Sequence, residues 1–318
     1  MRNNWLTIKK NQHTNSKSLR KRIVENRWTY LFLLPGVIFL LLFSYWPMYG
    51  LILAFKEFKM NQGIIGSPWA DPIFKNFISI KNDPFFWNAF FNTFRMGFWY
   101  ILTGFPAPII LAILLNELRL NRYKKALQTI YTFPNFLSWV IVGGLMFNLF
   151  SSEGLINTII RMFGRETYDF LSNKNIIRPL FFATNVWKGA GWGAIIYMAS
   201  IAGINPELYE AAEVDGANRF QKIIYITWPG IKATAAILLI LDFGGIMNKG
   251  FDQILNMSNP VVESLVEVLD TYIYKRTFLS IPDYGFSTAM GFMKSIINYI
   301  FLLVANKIAK WLDGGAVI

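Results

Sequence analysis

The chain has 318 residues, of which 54% are hydrophobic, 17% aromatic and 16% charged, and its mean hydropathy is +0.35. Few charges among long apolar runs exclude an ordinary soluble protein, and the lack of cysteine excludes disulfides, thiolate nucleophiles and cysteine-held metals. The net charge of +12 could suggest nucleic acid binding, but most of it flanks apolar spans, where basic charge sets the orientation of a membrane protein.

Six apolar runs predict an all-α polytopic membrane protein with about six transmembrane helices. Each run is long enough to cross the hydrocarbon core of a bilayer. The predicted spans are residues 28–55, 96–116, 127–150, 178–203, 231–257 and 285–309. Basic residues gather before the first span, between the second and third, and at the carboxyl terminus. This pattern predicts a multi-pass membrane protein with both termini in the cytoplasm, and the lack of cysteine fits a bacterial cell membrane.

The spans divide the chain into four parts. These are a basic cytoplasmic tail (1–27), the first span with an outside loop (28–91), a transmembrane core (92–310) and a carboxyl-terminal tail (311–318). The first tail carries eight basic residues against Glu25 alone. We interpret it as a flexible, solvated arm rather than a specific lipid or partner site.

Prolines and glycines mark special points along the predicted spans. Pro106 and Pro108 interrupt the second span, where a proline kinks a helix and leaves carbonyls that need other donors. The fourth span contains Gly189, Gly191 and Gly193, and small residues of this kind let helices approach closely in lipid.

Residues 205–230, which we call the coupling loop, form the one long polar passage between apolar spans. Asn205 is a good helix N-cap and Pro206 suits the first helical position. Gly216 is expected to end this helix, because glycine readily adopts the left-handed conformation. Apolar residues at helical spacing predict a second helix that ends at Pro229. The predicted topology places this helix–turn–helix at the cytoplasmic membrane surface.

The coupling loop resembles the EAA loop of binding-protein-dependent ABC importer permeases. The residues that carry the resemblance are Glu210, Ala211, Ala212, Gly216, Ile226 and Pro229. Three residues separate the alanine pair from the glycine, and nine separate the glycine from the isoleucine. Trp228 stands where the family pattern has leucine, which keeps a large apolar residue. Together with Asp215, these are the residues that the resemblance implicates in coupling to an ATPase.

Further segments resemble the carbohydrate-uptake branch of this family, in particular the first permease subunit of oligosaccharide importers and the polysaccharide-fragment permeases of Gram-positive bacteria. These segments are residues 250–254, 259–260, 268–274, 287–291 and 305–307. The resemblance implies a transport subunit rather than an enzyme, working by alternating access. Its implied partners are a second permease subunit in a heterodimer, two ATPase subunits, an extracellular sugar-binding lipoprotein, the oligosaccharide substrate and membrane lipid.

Cofactors are expected on the partners only. The phosphate-binding pattern G-x-x-x-x-G-K-[ST] does not occur in the sequence, so we expect the separate ATPase subunits to bind ATP and magnesium. We expect no catalytic residue, no metal site and no nucleic acid partner in this chain.

Polar and aromatic residues in the predicted spans are candidates for a substrate path. An unpaired charge near the bilayer centre costs about 3 kcal/mol, so such groups should face partners or water. Amides, carboxylates and aromatic faces suit a sugar, and the candidates are Trp139, Asn185, Trp187, Asn248, Asp252 and Gln253. A structural polar network, or a simple Lys249–Asp252 pair, remains an alternative. Lys188 and Lys294 are expected to snorkel or pair rather than touch sugar.

A membrane-embedded enzyme and an ion-coupled secondary carrier are the competing functions. The only histidine, His13, lies in the amino-terminal tail, and the motifs H-E-x-x-H and G-x-S-x-G are absent. No convincing internal repeat supports the inverted halves that many secondary carriers show. The ABC permease is therefore the preferred interpretation.

Overall fold

The computed structural model describes residues 25–118 and 120–313, without the side chains of residues 305 and 308–313. Most of the predicted amino-terminal tail, Arg119 and the last five residues lie outside the described residues. Within the described ranges the chain is helical and contains no β-strand, apart from one isolated bridge between Lys56 and Trp69. The predicted all-α class is confirmed.

Sixteen α-helices occur in the described residues. They are α1 Arg27–Leu40, α2 Gly63–Gly66, α3 Lys75–Lys81, α4 Pro84–Gly104, α5 Pro106–Asn116, α6 Asn121–Thr132, α7 Trp139–Phe150, α8 Leu155–Met162, α9 Ile177–Ala202, α10 Pro206–Val214, α11 Arg219–Lys222, α12 Trp228–Gly244, α13 Phe251–Met257, α14 Glu263–Val266, α15 Leu269–Tyr274 and α16 Tyr284–Asp313. Turns of 3-10 helix cover Trp46–Phe55, Phe133–Phe136 and Ile246–Asn248, and π-helical turns cover Leu41–Tyr45, Ile223–Thr227 and Lys275–Leu279.

The chain divides into two compact units, Met1–Ile52 and Leu53–Ile318. The described part of the first unit is one apolar helical run, and nearly all of its side chains are exposed, with Phe32 the most exposed of its large apolar residues. Contiguous apolar exposure of this extent is unsuited to water but suits a lipid environment.

The core of the second unit consists of three apolar clusters, each of which includes helix α4, helix α9 or both. One joins α4 to α15 and α16 through Phe86, Leu269 and Met290. The second joins α4, α7, α9 and α13, and the third joins α5, α9 and α12. Helices α4 and α9 are therefore the elements against which most of the second unit packs.

Five helical runs in the described residues are long and apolar enough to cross a membrane. They are Arg27–Phe55, Pro84–Asn116, Trp139–Met162, Arg219–Gly244 and Tyr284–Val304. Helix α9 has 26 residues, a length of about 39 Å at 1.5 Å per residue, but Arg178, Lys188 and three glycines make it less apolar. The predicted count of six spans stays a prediction.

The second helical region begins earlier than predicted. Asp83 caps α4, because its Oδ1 accepts hydrogen bonds from the backbone N–H groups of residues 85 (2.9 Å) and 86 (3.3 Å). The predicted start at residue 96 treated Arg95 as a flanking residue, whereas Arg95 lies well inside α4. The expected interruption is confirmed, since α4 ends at Gly104 and α5 begins at Pro106.

The third predicted span, residues 127–150, is two helices. Helix α6 ends at Thr132, a 3-10 turn containing Pro134 follows, and α7 begins at Trp139. The Ser138 hydroxyl oxygen caps α7 by accepting a hydrogen bond from the Ile141 N–H at 3.3 Å. The proline and this cap explain why the apolar run does not form one continuous helix.

The fifth predicted span, residues 231–257, is also interrupted. Its helix α12 ends at Gly244, and α13 begins only at Phe251, after Gly250 in the left-handed region with φ of +91°. A Cβ atom on Gly250 would lie 3.0 Å from the Tyr100 ring. A positive φ and this close contact both favour glycine at the turn.

Two glycines of α9 allow close helix contact, as predicted. A Cβ atom on Gly191 would lie 2.0 Å from the carbonyl oxygen of Tyr131 in α6, and one on Gly193 would lie 2.9 Å from Pro108 Cγ in α5. Gly189 differs, because the space beside it is open. Gly191 and Gly193 confirm the expectation of close approach, and Gly189 does not.

We expect Gly191→Ala to destabilise the protein by about 1–3 kcal/mol, because the added methyl group forces α6 and α9 apart. Gly189→Ala is the matched control: it makes the same change two residues away, where a Cβ meets nothing within 4 Å. The measurement is the thermal midpoint of the detergent-solubilised protein. Equal midpoints for the two variants would contradict the contact.

Candidate functional site

The first helix of the coupling loop is capped at both ends as the sequence predicts. Asn205 Oδ1 accepts a hydrogen bond from the Glu207 N–H at 3.1 Å. After α10, Gly216 has φ of +77°, and its N–H donates to the Glu213 carbonyl at 3.1 Å. The next N–H, of Ala217, donates to the Ala212 carbonyl at 2.8 Å. This pair of bonds is a Schellman motif, which closes the helix and sets the sharp turn.

The second helix of the loop begins with a capping box that the sequence analysis missed. Asn218 Oδ1 accepts from the Gln221 N–H at 2.9 Å, and Gln221 Oε1 accepts from the Asn218 N–H at 2.7 Å. The pattern of asparagine followed three residues later by glutamine could have revealed it.

Pro229 does not end this helix, contrary to the prediction. The π-helical turn Ile223–Thr227 leads directly into α12, and the Trp228 N–H donates to the Ile223 carbonyl. The wider π turn lies directly before the proline, which is the second residue of α12, and it accommodates the proline within a continuous helix. The loop is thus continuous with the apolar helix that follows.

Side-chain bonds join the two helices of the coupling loop. Lys222 and Glu213 form an ion pair at 2.5 Å, and the hydroxyl groups of Tyr209 and Thr227 are 2.9 Å apart. Thr227 is buried. With the turn fixed by Gly216, these bonds hold the two helices of the hairpin together.

The outward surface of the hairpin is open. Glu210 and Ala211 are exposed, and the Glu210 carboxylate forms no ion pair or hydrogen bond within the described residues. Val214 is 89% exposed and Phe220 70% exposed. Among the other predicted coupling residues, Asp215, Gly216 and Pro229 are exposed, and Ala212 and Ile226 are half-buried. A free carboxylate beside exposed apolar groups is typical of a surface that another protein covers.

Gln253 is held inside the helical core. It is 1% exposed, its Nε2 donates to the Phe181 carbonyl at 2.8 Å, and its Oε1 accepts from the Tyr100 hydroxyl at 2.8 Å. These bonds join α13 to α9 and α4. A role for Gln253 in sugar binding would therefore require a second conformation.

Trp139 lies at the start of α7, beside Lys188 of α9. Lys188 Nζ lies 5.4 Å from the centre of the Trp139 ring and donates to the Asn135 carbonyl at 2.8 Å. That carbonyl belongs to the break between α6 and α7, so Lys188 satisfies a group that the helix leaves free. The expectation that Lys188 pairs rather than touches sugar agrees with this geometry.

The remaining path candidates lie on α9 and around the break before α13. Trp187 is exposed and Asn185 is half-buried beside Gly104, while Asn248 and Asp252 are exposed. Lys249 pairs with Asp242 at 3.0 Å, and not with Asp252 as the alternative interpretation had it. The structure thus leaves Asp252 and Asn248 accessible but does not bring all six candidates into one cavity.

A second group of functional candidates was missed by the sequence analysis. These residues line a space of about 680 Å³ between α4 and α9, which we call the basic cavity. Its lining includes Arg95, Trp99, Lys174, Arg178 and Phe182. The sequence offered one signal of this site, which is Arg95, a single arginine within an apolar helix. It was overlooked because the predicted span began one residue after Arg95.

An ion cluster stabilises the connection between α13 and α16. Lys275 lies between Glu263 and Glu267, with 3.1 Å to Glu267. Burial raises the pKa of Glu267 above its ordinary value, against the opposing effect of Lys275. Burial disfavours the charged form of Lys275, but its bonds to Glu263 and Glu267 outweigh this and raise the pKa of Lys275.

We expect Gly216→Val to open the turn of the coupling loop, because a left-handed residue with a Cβ costs about 1–2 kcal/mol and a β-branched one more. Gly216→Asn is the matched control, since asparagine tolerates this conformation. A steric clash with neighbouring residues is not the cause of this effect, because a Cβ on Gly216 would meet nothing within 4 Å. Amide hydrogen exchange over residues 206–222 should accelerate at least about fivefold in the valine variant. Equal exchange in both variants would contradict the backbone explanation.

Comparison with known proteins places this geometry in a family. Residues 104–314 match the family described as "Binding-protein-dependent transport system inner membrane component". The polygalacturonan/rhamnogalacturonan transport system permease protein YteP of Bacillus subtilis (strain 168) is 39% identical over 295 residues, which cover 92% of this chain and 91% of YteP. Protein LplB of the same organism is 39% identical over 291 residues, covering 91% and 90%.

A solved structure is similar over nearly the whole chain. It is a chain of a bacterial ABC transporter involved in the import of the acidic polysaccharide alginate, with a TM-score of 0.85 and 36% identity. The match covers 93% of this chain and 100% of that one. In this family ATP hydrolysis is done by separate ATPase subunits, so the chain is a transport subunit and not an enzyme. The chain belongs to the family of binding-protein-dependent transport system inner-membrane components, the permease subunits of ABC importers.

Proposed function

We propose that this permease forms the membrane pathway of an ATP-driven oligosaccharide importer together with a second, different permease subunit. The names of YteP and of the alginate importer, which concern polysaccharides, support a carbohydrate substrate. The coupling loop is the single observation that carries the proposal, because it combines a self-capped hairpin with an exposed Glu210 whose carboxylate has no partner among the described residues.

The proposed partners occupy both sides of a bacterial cell membrane. Two ATPase subunits bind ATP and magnesium on the cytoplasmic side, where both termini of this chain also lie. A lipid-tethered binding protein delivers the oligosaccharide from outside. The comparison with an alginate importer bound to a pentasaccharide-loaded periplasmic protein supports the last point.

In the proposed mechanism, closure of the ATPase subunits moves the coupling loop and changes the side on which the pathway is open. Glu210 makes a polar contact with the ATPase, and the small Ala211 and Ala212 allow the two surfaces to approach closely. Pro229 directs the loop into α12, and this continuity of helix transmits the movement to the membrane.

The proposed sugar contacts use the accessible members of the candidate set. Trp139 and Trp187 offer aromatic faces to the C–H surface of a sugar, and Asn185, Asn248 and Asp252 offer hydrogen-bonding groups. Gln253 joins them only if its bonds to Tyr100 and Phe181 open during transport.

Purification of the assembled membrane complex tests the function. We expect oligosaccharide-loaded binding protein to stimulate ATP hydrolysis, and we expect this activity to disappear when the ATPase subunits are left out. Uptake driven by an ion gradient without ATP would support the secondary carrier instead. Chemical conversion of the sugar by this chain alone would support the enzyme.

We expect Glu210→Gln to lower sugar-stimulated ATP hydrolysis at least about tenfold, because it removes a charge-assisted contact worth about 1.5–3 kcal/mol. Glu207→Gln is the matched control, since Glu207 is one turn away and bonds to Asn205 within the loop. The control should change the rate less than about twofold. The assigned role of Glu210 is wrong if both variants keep the rate of the unmodified complex.

A further inference from the structure

The basic cavity combines cations and aromatic rings at matched positions on two helices. Arg95 and Trp99 are four residues apart on α4, and Arg178 and Phe182 are four residues apart on α9. Residues at this spacing lie on the same face of a helix. The Trp99 and Phe182 rings stack with centres 6.2 Å apart and an angle of 25° between planes. Each helix thus contributes one guanidinium and one ring to a common wall.

The cations of the basic cavity lack anionic partners. Arg95, Lys174 and Arg178 form no ion pair within residues 25–118 and 120–313, and no acidic residue lines the cavity. Both arginines instead approach the same neutral oxygen, Asn92 Oδ1, each at 3.4 Å. Arg178 also donates to the Leu265 carbonyl at 2.7 Å and 3.1 Å. Like charges held together in this way repel each other, so an anion from outside the chain would be bound favourably here.

Arg95 has fewer and longer hydrogen bonds within the protein than Arg178. Its side chain is exposed, and its single hydrogen bond to Asn92 is long. It is also the one charged residue between Pro84 and Asn116, a run that is otherwise apolar enough to span a membrane. Placing an arginine against hydrocarbon is costly, so such residues face a water-filled path or a binding site.

The exposed ring next to Arg95 indicates the chemistry of the ligand. Trp99 is 44% exposed, so one ring face is available beside the guanidinium. A sugar acid carries its carboxylate directly on a pyranose ring whose C–H face packs on aromatic rings. Arginine suits the carboxylate because its planar fork can donate two parallel hydrogen bonds. The volume of about 680 Å³ lies within the usual range for small-molecule sites.

We propose that the basic cavity binds the carboxylate groups of an anionic oligosaccharide, with Arg95 and Arg178 holding the charge and Trp99 the sugar ring. This inference rests on the proposed import of oligosaccharides and adds the charge of the substrate. The names of the two relatives concerned with polygalacturonan and alginate, both polymers of sugar acids, agree with it.

The test uses the assembled importer in lipid nanodiscs, without the extracellular binding protein, and two probes. Tetragalacturonate carries the carboxylates, and its methyl ester has the same length and linkage without charge. Equilibrium dialysis should give at least about tenfold tighter binding of the acid than of the ester. Arg95→Gln should remove this preference and leave binding of the ester within about twofold.

Two further variants keep the result interpretable. Arg165→Gln removes an exposed positive charge outside the basic cavity, and we expect it to change neither affinity by more than about twofold. Trp99→Leu keeps an apolar side chain but removes the ring, and we expect it to weaken binding of both probes at least about threefold. Unchanged acid binding in Arg95→Gln, or an equal loss in Arg165→Gln, overturns the proposal.

An anionic lipid headgroup is the competing ligand, and the nanodisc composition separates the two. The proposal expects the same acid preference in phosphatidylcholine with or without phosphatidylglycerol. If phosphatidylglycerol abolishes binding of the acid, or if Arg95→Gln changes only the response to that lipid, the cavity is a lipid site and the proposal is wrong.

If the acid does not bind but a neutral oligosaccharide still stimulates ATP hydrolysis, the charge assignment fails while the proposed import stands. If no oligosaccharide stimulates hydrolysis, the proposed function itself fails.

Discussion

A lipid environment supplies no hydrogen bonds, so a helix that is interrupted within the membrane needs donors from the protein itself. The second unit meets this constraint with long polar residues of α4 and α9. Lys188 donates to the Asn135 carbonyl in the break between α6 and α7. The same two helices also hold the connection between the last two predicted spans, where Arg178 donates to the carbonyl of Leu265 and Asn92 to that of Ser264 in the short helix α14. The irregular segments are therefore held by the two helices that also hold the apolar core.

The same constraint relates the architecture to the chemistry. A polar residue that is hydrogen-bonded inside the protein is committed to that task, as Lys188 and Gln253 are. A polar residue without such a task is available to a ligand or a partner. Glu210 on the coupling loop and Arg95 in the basic cavity are in this second class, since neither has an oppositely charged partner within the described chain. The distinction depends on contacts and not on residue type.

Local chemistry explains which parts of the structure the sequence could predict. The caps of α10 followed directly from the order of residues along the chain, because each depends on backbone only a few positions away. The residues concerned are Asn205, Pro206 and Gly216. The apolar runs likewise predicted the all-α class and the approximate places of α9 and α16. The motif of the coupling loop led to the family because its spacing is fixed over twenty residues.

Features that depend on distant contacts were not accessible in this way. Hydropathy alone could not show that the fifth apolar run breaks, because the turn at Gly250 depends on Tyr100, 150 positions earlier. The continuity through Pro229 depends on a π-helical turn that has no simple residue pattern. The basic cavity needs two helices to be brought together, and neither arginine indicates the other along the chain. The substrate path therefore remained a list of suitable residue types.

The contact between Gly191 and the Tyr131 carbonyl has a consequence for motion. At this crossing backbone touches backbone, and no side chain can change rotamer to let one helix roll over the other. Helices α6 and α9 must consequently travel together as one rigid element whenever the protein changes shape. Rearrangement is left to crossings where flexible side chains intervene.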